Sequence, residues 1–252
     1  MNNTRAIFIK QFTSLVKVPM LIIQGVMFLL IAGAFLFLAS PEEDYDCDYC
    51  IPAYICAACE ERANDRFELP MPSGVGLFTV MFIGLALVGS SSALVFEDKN
   101  TTNLRFMEMA DVKPYQYLLG TVSSIIIVVA VILVFYALMG GYFWTHMLWF
   151  MAIGVSGGLV SILLGVVIGL SKVPLFATPL SIILGLGPTF GNLNESLANI
   201  LRFTFIQQVN LAFADLSADL TYNFLIIGAN GLVVLLIFIF MHRKNKFNYS
   251  VS

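Results

Sequence analysis

Four cysteines lie close together in the first quarter of the chain, in a C-x2-C-x5-C-x2-C pattern: Cys47, Cys50, Cys56 and Cys59. Thiols at such spacing can form disulfides, hold zinc, or exchange electrons as redox-active pairs. Zinc sites favour a longer spacer between the two pairs than the five residues found here. The choice among these chemistries depends on the compartment, and therefore on the elements that flank the cysteines.

The flanking sequence is that of a membrane protein. Of 252 residues, 59% are hydrophobic and 12% are charged, and the mean hydropathy is +0.88. Soluble domains carry about 25% charged residues. Apolar runs of roughly 18 or more residues predict helices that cross a ~30 Å hydrocarbon core.

The apolar runs predict six membrane-spanning helices in a single transmembrane domain covering residues 1–252. The fifth run is interrupted by prolines and glycines, which membrane helices tolerate when neighbouring groups satisfy the freed backbone. The predicted spans are Leu21–Ala39, Gly74–Phe96, Tyr117–Leu138, Met147–Leu170, Val173–Phe190 and Phe224–Met241.

Lysine and arginine set the predicted orientation. An even number of spans puts both termini on one side, and that side would hold ten of the thirteen basic residues. Cytoplasmic segments carry the excess of Lys and Arg. We therefore expect a multi-pass protein of the cell membrane with both termini in the cytoplasm. Only Arg62, Arg66 and Arg202 would lie on the outer side.

This topology places the cysteines in an external loop, residues 40–73, that is rich in Asp and Glu. Paired cysteines outside the cytoplasm usually form disulfides, and four cysteines allow three connectivities. We therefore expect structural disulfides of unknown pairing. A zinc site and a redox-active pair remain alternatives.

Residues 4–18 have the pattern of an interfacial amphipathic helix on the cytoplasmic membrane surface. Phe8, Phe12 and Leu15 share one helical face, whereas Lys10 and Lys17 lie on the other and would face anionic headgroups. A polar start to the first span is the alternative interpretation.

The fourth span carries small residues at every fourth position: Gly157, Ser161, Gly165 and Gly169. Such a stripe lets another helix approach closely. It would serve packing within the subunit, against a second copy, or along a substrate path. The predicted spans contain no Asp, Glu, Lys or Arg, which counts against ion-coupled secondary transport.

Two segments between spans have helical character of their own. Residues 97–114, EDKNTTNLRFMEMADVKP, are cytoplasmic by this topology and expose four bulky apolar residues there. Residues 191–222 are external, yet their apolar residues recur at helical intervals. They predict two short helices that dip into the outer leaflet.

This arrangement resembles the permease subunit of type-2 ABC exporters. An interfacial N-terminal helix, six spans, a cytoplasmic helix between spans two and three, and re-entrant external helices between spans five and six are found together in that family. Within FEDKNTTNLRFMEMADVKPYQYLLG, Glu97, Pro114 and Gly120 match its pattern. Thr121, and the pair Asp98 and Lys99, stand where the family often has basic residues.

The resemblance implies that residues 97–114 form a coupling helix that docks on an ATP-binding subunit. The residues expected to carry this coupling are Glu97, Leu104, Arg105, Phe106, Met107, Glu108 and Pro114. Phe106 and Met107 would be the apolar anchors, methionine being able to fill irregular gaps. A plain surface loop between two spans is the alternative interpretation.

The chain has no G-x-x-x-x-G-K-[ST] phosphate loop, so it is not expected to be an enzyme or to hold a cofactor itself. The resemblance implies that ATP and Mg²⁺ bind a separate ATPase subunit, present twice, beside a second permease that is identical or homologous. Membrane lipids are the other expected partners, and no nucleic acid is expected. The implied cargo is an amphiphilic peptide, a lipid-like compound or an antimicrobial.

Two functions from other classes remain open. An immunity or receptor-like membrane protein would bind a cationic peptide through the acidic external loop by electrostatic attraction. A membrane thiol-redox protein would use the two cysteine pairs at the outer surface.

Overall fold

The computed structural model describes residues 2–17, 20–39, 71–101, 109, 112–142, 144–171, 176–191, 199–216 and 219–245. Throughout these ranges the regular structure is helical, without strands. The helices are α1 (Asn2–Lys17), α2 (Met20–Ala39), α3 (Met71–Met81), α4 (Val88–Asn100), α5 (Pro114–Met139), α6 (Trp144–Leu170), α7 (Ala177–Gly191), α8 (Phe205–Ala214) and α9 (Thr221–Asn245).

Four of the described helical stretches are long and apolar enough to cross a membrane: Gly74–Asn100, Pro114–Met139, Trp144–Leu170 and Thr221–Met241. A fifth arises if Thr4–Leu15 and Met20–Phe35, whose axes differ by 53°, are taken together. Ala177–Pro188 forms a shorter apolar helix. The predicted all-helical class and the consistency with a membrane protein are confirmed, whereas the count of six spans stays a prediction.

The second predicted span is one continuous helical stretch with a change of winding at its centre. Phe82–Leu87 form a π-helical turn that joins α3 to α4. This turn packs against α7 at two glycines, since a methyl group at Gly84 would come within 2.8 Å of the Gly185 backbone. Such turns are rare and locally widen a helix. Here the widened turn lies directly against a neighbouring helix.

Helix α8 lies inside the bundle. Val209 is fully buried and fills the space beside Gly157 of α6. The Phe213 ring stacks on Phe150 with 4.5 Å between centroids. Asn230 of α9 donates a hydrogen bond of 3.0 Å to the carbonyl of Phe203, just before α8.

The hydrogen bond between Asn230 and Phe203 shows how far the chain before α8 extends along α9. Asn230 lies nine residues into α9, which corresponds to about 13 Å along a helix axis. The chain between α7 and α9 therefore reaches well down the side of α9. Asn223, in the first turn of α9, adds a second hydrogen bond between α9 and this part of the chain by donating to the Gln208 carbonyl at 3.0 Å.

Candidate functional site

The candidate site is centred on Asp98, one of the few buried charged side chains among the described residues. It lies in the last turn of α4 and is 5% exposed. Among the described residues, three donors contact the carboxylate: Lys10 Nζ at 2.6 Å from Oδ1, Gln11 Nε2 at 2.5 Å from Oδ2, and Tyr117 Oη at 3.0 Å from Oδ2. We call Lys10, Gln11, Asp98 and Tyr117 the Asp98 cluster.

The cluster joins three helices that are distant in sequence. Lys10 and Gln11 belong to α1, Asp98 to α4 and Tyr117 to the first turn of α5. Asp98 lies at the start of the segment 97–114 that the resemblance identifies as the coupling helix, and Tyr117 lies just after its end. Helix α4 ends at Asn100 and α5 begins at Pro114, so the two helix ends on either side of the intervening segment are held by one carboxylate and by α1.

Helix α1 presents Ile7, Gln11 and Leu15 to the bundle, and all three are buried. They are spaced by four residues and therefore share one face. The sequence pattern predicts Phe8, Phe12 and Leu15 on the apolar face and Lys10 toward the headgroups. In the structure Phe12 is exposed, and Lys10, whose side chain is 39% exposed, donates to the buried Asp98. The position of α1 along the membrane surface stays a prediction.

Gly120 allows α1 to lie this close to α5. A methyl group at that position would come within 2.7 Å of Ile7 Cγ2 and 3.3 Å of the Phe8 backbone nitrogen. Gly120 is also one of the residues that carry the resemblance. Because it has no side chain, α1 can pack closely against α5 one turn after Tyr117.

Lys99, the residue after Asp98, is bonded in another direction. Its Nζ donates to the Ser171 carbonyl at 3.0 Å, where α6 has just ended. A cation is favourable at the C-terminus of a helix because the last carbonyls there lack intrahelical partners. Adjacent residues at the end of α4 therefore attach it to α1 and α5 on one side and to α6 on the other.

The chemistry of the cluster favours holding helices together over catalysis. Within the part of the chain that the structure describes, the Asp98 carboxylate forms an ion pair with Lys10, and Lys10 is partly exposed while Asp98 is buried. Removing one member of a buried, hydrogen-bonded charge pair leaves the other uncompensated. The Gln11 Oε1 atom is buried without a hydrogen-bond partner, so the cluster is not fully satisfied. Such partly satisfied groups lower the cost of a rearrangement that would give them a partner.

The predicted coupling residues lie mainly outside the described residues. Leu104, Arg105, Phe106, Met107 and Glu108 fall there. Glu97 is exposed, and its carbonyl accepts from Thr101. Pro114 is the first residue of α5, and in the same turn the Lys113 amide donates to Gln116 Oε1 at 3.0 Å. Proline suits the first helical position because its fixed φ is helical and no N–H is needed there.

The stripe of small residues in α6 lies against other helices of the same chain. A methyl group at Gly165 would come within 2.7 Å of the Val88 carbonyl oxygen, and one at Gly169 within 2.7 Å of the Ser92 carbonyl oxygen. Gly157 contacts Val209 of α8, and Ser161 is fully buried. These contacts bring the backbones of α4 and α6 together.

The four cysteines, and with them the predicted disulfides, lie outside the described residues. Within the described ranges, no three side chains of His, Cys, Asp or Glu are arranged to hold a metal ion.

The sequence alone does not reveal Asp98, Lys10, Gln11 and Tyr117 as a unit. By the resemblance, Asp98 is a departure from the family pattern and the exposed Glu97 is the acidic residue. A usable signal existed in α1, where Ile7, Gln11 and Leu15 recur at intervals of four. A glutamine between two apolar residues on one face indicates that the face meets a polar group.

Comparisons with protein-family models, with curated proteins and with solved structures find no match to this chain.

Proposed function

We propose that the chain is the permease subunit of a type-2 ABC exporter, which moves an amphiphilic compound outward while a separate subunit hydrolyses ATP. In this proposal α2, the helical stretch from α3 to α4, α5, α6, α7 and α9 are the six spans. Helix α1 lies along the cytoplasmic surface, and α8 is the re-entrant element. Both termini lie in the cytoplasm, and two permeases form the transport pathway.

The observation that carries the proposal is the attachment of both ends of segment 101–113 to one cluster. A force applied to that segment would reach α4 through Asp98 and α5 through Tyr117, and α1 is bonded to the same carboxylate. Lys99 would pass the displacement on to α6. A contiguous network of hydrogen-bonded and packed groups of this kind can carry coupling between a driven element and the helices that move.

The buried π-helical turn supports the same function. Phe82–Leu87 lies at the centre of the helix that ends in the Asp98 cluster, and its contact with α7 is between glycines. Helices that meet through small residues can slide with little steric penalty. An incompletely satisfied cluster at the helix end, together with a widened turn at its middle, suits a helix that changes position during a transport cycle.

The experiment that tests the proposal removes the two anchors. Phe106→Asp combined with Met107→Asp should detach the ATPase, because buried apolar anchors of an interface contribute about 2 kcal/mol or more each. Asn100→Asp combined with Thr101→Asp is the matched control. It adds the same charge at the start of the same segment and removes no large apolar side chain.

The measurement is co-purification of the tagged chain in mild detergent, with identification of bound proteins and vanadate-sensitive ATP hydrolysis. We expect the unaltered chain and the control to retain a phosphate-loop ATPase in equimolar amount, and the anchor variant to lose it while keeping its size-exclusion profile. Absence of any such ATPase from the unaltered chain would contradict the proposal. Its retention by the anchor variant would contradict the docking role of Phe106 and Met107.

A further inference from the structure

A second site lies at the end of the bundle opposite the Asp98 cluster. Helix α6 runs between the two sites. Its last residue precedes Ser171, which binds Lys99 beside the Asp98 cluster, and its first turns line the second site. A cavity of about 560 Å³ opens there between the start of α6 and the chain that leads into α9. Ligand pockets in proteins typically measure about 300–1,000 Å³. Its polar and aromatic lining consists of Thr145, His146, Trp149, Asp219, Thr221 and Phe224.

Two aromatic rings form one corner of this cavity. The centroids of Trp149 and Phe224 are 6.2 Å apart, and the ring planes are inclined by 48°. Trp149 remains 44% exposed, so its ring is open to a ligand. The faces of aromatic rings carry negative charge density and attract cations within about 6 Å, tryptophan most strongly.

A carboxylate completes the site. Asp219 is exposed, and its Oδ1 accepts a hydrogen bond from the Thr221 amide at 3.0 Å. Hydrogen bonds from the Thr221 side chain and backbone hold the pKa of this carboxyl below its usual value, so it is ionised at neutral pH. Among the described residues that line the cavity there is no Lys or Arg.

The remaining walls are apolar. Leu216 and Leu220 line the cavity beside Asp219, and both are largely buried. The site therefore offers one negative charge, two ring faces and a hydrocarbon surface. An inorganic cation would gain little binding free energy from contact with the rings and leucines. An apolar molecule would gain no binding free energy from the carboxylate.

We propose that this cavity binds an organic ammonium cation of the trimethylammonium type, with the methyl groups against Trp149 and Phe224 and the positive charge toward Asp219. This inference does not depend on an ATPase partner or on transport. The same chemistry is presented by a free cation such as choline and by the headgroup of a choline lipid, and the experiment separates these two sources.

The test uses the full-length chain in nanodiscs of phosphatidylglycerol, with choline as the probe and Trp fluorescence and calorimetry as readouts. The comparison ligand is 3,3-dimethyl-1-butanol, which has the shape of choline without its charge. We expect choline to bind at least about tenfold more tightly than the neutral analogue, because cation–π attraction and the carboxylate act only on the charge.

Asp219→Asn is the informative variant. Asparagine caps helices as well as aspartate does, so the variant keeps the hydrogen bond to Thr221 and loses only the charge. Choline affinity should fall about tenfold, because the variant loses the Coulomb attraction between the Asp219 carboxylate and the ammonium charge. Asp215→Asn removes an exposed carboxylate four residues away and should leave the affinity unchanged.

Equal binding of choline and the neutral analogue to the unaltered chain would overturn the proposal, and so would an unchanged affinity in Asp219→Asn. If that variant does not fold, the comparison of the two ligands on the unaltered chain decides alone. Repeating the titration in phosphatidylcholine nanodiscs identifies the source. A weaker apparent affinity for choline there assigns the site to the lipid headgroup, and an unchanged one assigns it to a free cation.

Discussion

At the scale of single residues, the burial of Asp98 depends on the donors that contact its carboxylate. A buried carboxylate is costly unless it is paired and hydrogen-bonded, and here Lys10, Gln11 and Tyr117 meet that requirement from two other helices. The neighbouring Glu97 is exposed and makes no comparable demand. The two adjacent carboxylates therefore provide a natural comparison.

We expect Asp98→Asn to destabilise the protein by about 2 kcal/mol or more, because it leaves Lys10 facing a neutral amide and turns one acceptor into a donor opposite other donors. The midpoint of thermal unfolding in detergent should fall by roughly 5 °C for a chain of this size. Glu97→Gln should change it by less than about 2 °C, as exposed surface substitutions usually do. Equal shifts in the two variants would contradict the anchoring role of Asp98.

Residue-scale pairing is also where the sequence was least informative. Lys10 and Asp98 are separated by 88 positions, and no local pattern relates them. The periodicity of α1 was compatible with two faces, because Leu15 belongs to the series Ile7–Gln11–Leu15 and also follows Phe8 and Phe12. Burial against α5 selected the first face, and that contact depends on Gly120 in a distant helix.

At the scale of helices, run length and composition were sufficient to predict the long apolar elements. Four of the predicted spans correspond to helices that qualify by length and hydropathy. The π-helical turn at Phe82–Leu87 could not be predicted, because its residues are ordinary for a membrane helix and the extra winding responds to packing against α7. The burial of Gln207 and Gln208 in α8 likewise follows from packing.

The stripe in α6 gives the clearest test at this scale. Gly165→Ala places a methyl group within 2.7 Å of the Val88 carbonyl oxygen and still closer to the Ser91 hydroxyl. Overpacking of this kind costs about 1–3 kcal/mol, so the thermal midpoint should fall. Gly89→Ala is the matched control on α4, where a methyl group would find nothing within 4 Å.

We expect Gly89→Ala to be neutral or slightly stabilising, because alanine is favoured over glycine in helices by up to about 1 kcal/mol. If Gly165→Ala were tolerated as well as Gly89→Ala, the close approach of α4 and α6 would be wrong. A variant with an unchanged midpoint and altered oligomeric state would instead assign the stripe to contact with a second copy.

At the scale of the whole molecule, the two sites lie at opposite ends of α6. At one end, the Asp98 cluster and Lys99 form contacts that join α1, α4, α5 and the end of α6. At the other end, the cavity near Asp219 lies between the first turns of α6 and the start of α9. In the proposed orientation the first end faces the cytoplasm and an ATPase, and the second faces outward. The account therefore depends on which side of the membrane segment 97–114 lies.

Cysteine labelling of two matched asparagines measures this directly. In a variant whose four native cysteines are replaced by serine, Asn64→Cys and Asn103→Cys are introduced separately and exposed to a membrane-impermeant thiol reagent in intact cells. The account predicts labelling of position 64 in intact cells and of position 103 only after permeabilisation, with both proteins retaining the thermal profile of the parent. Labelling of position 103 from outside would contradict the topology and the coupling role of residues 97–114 together.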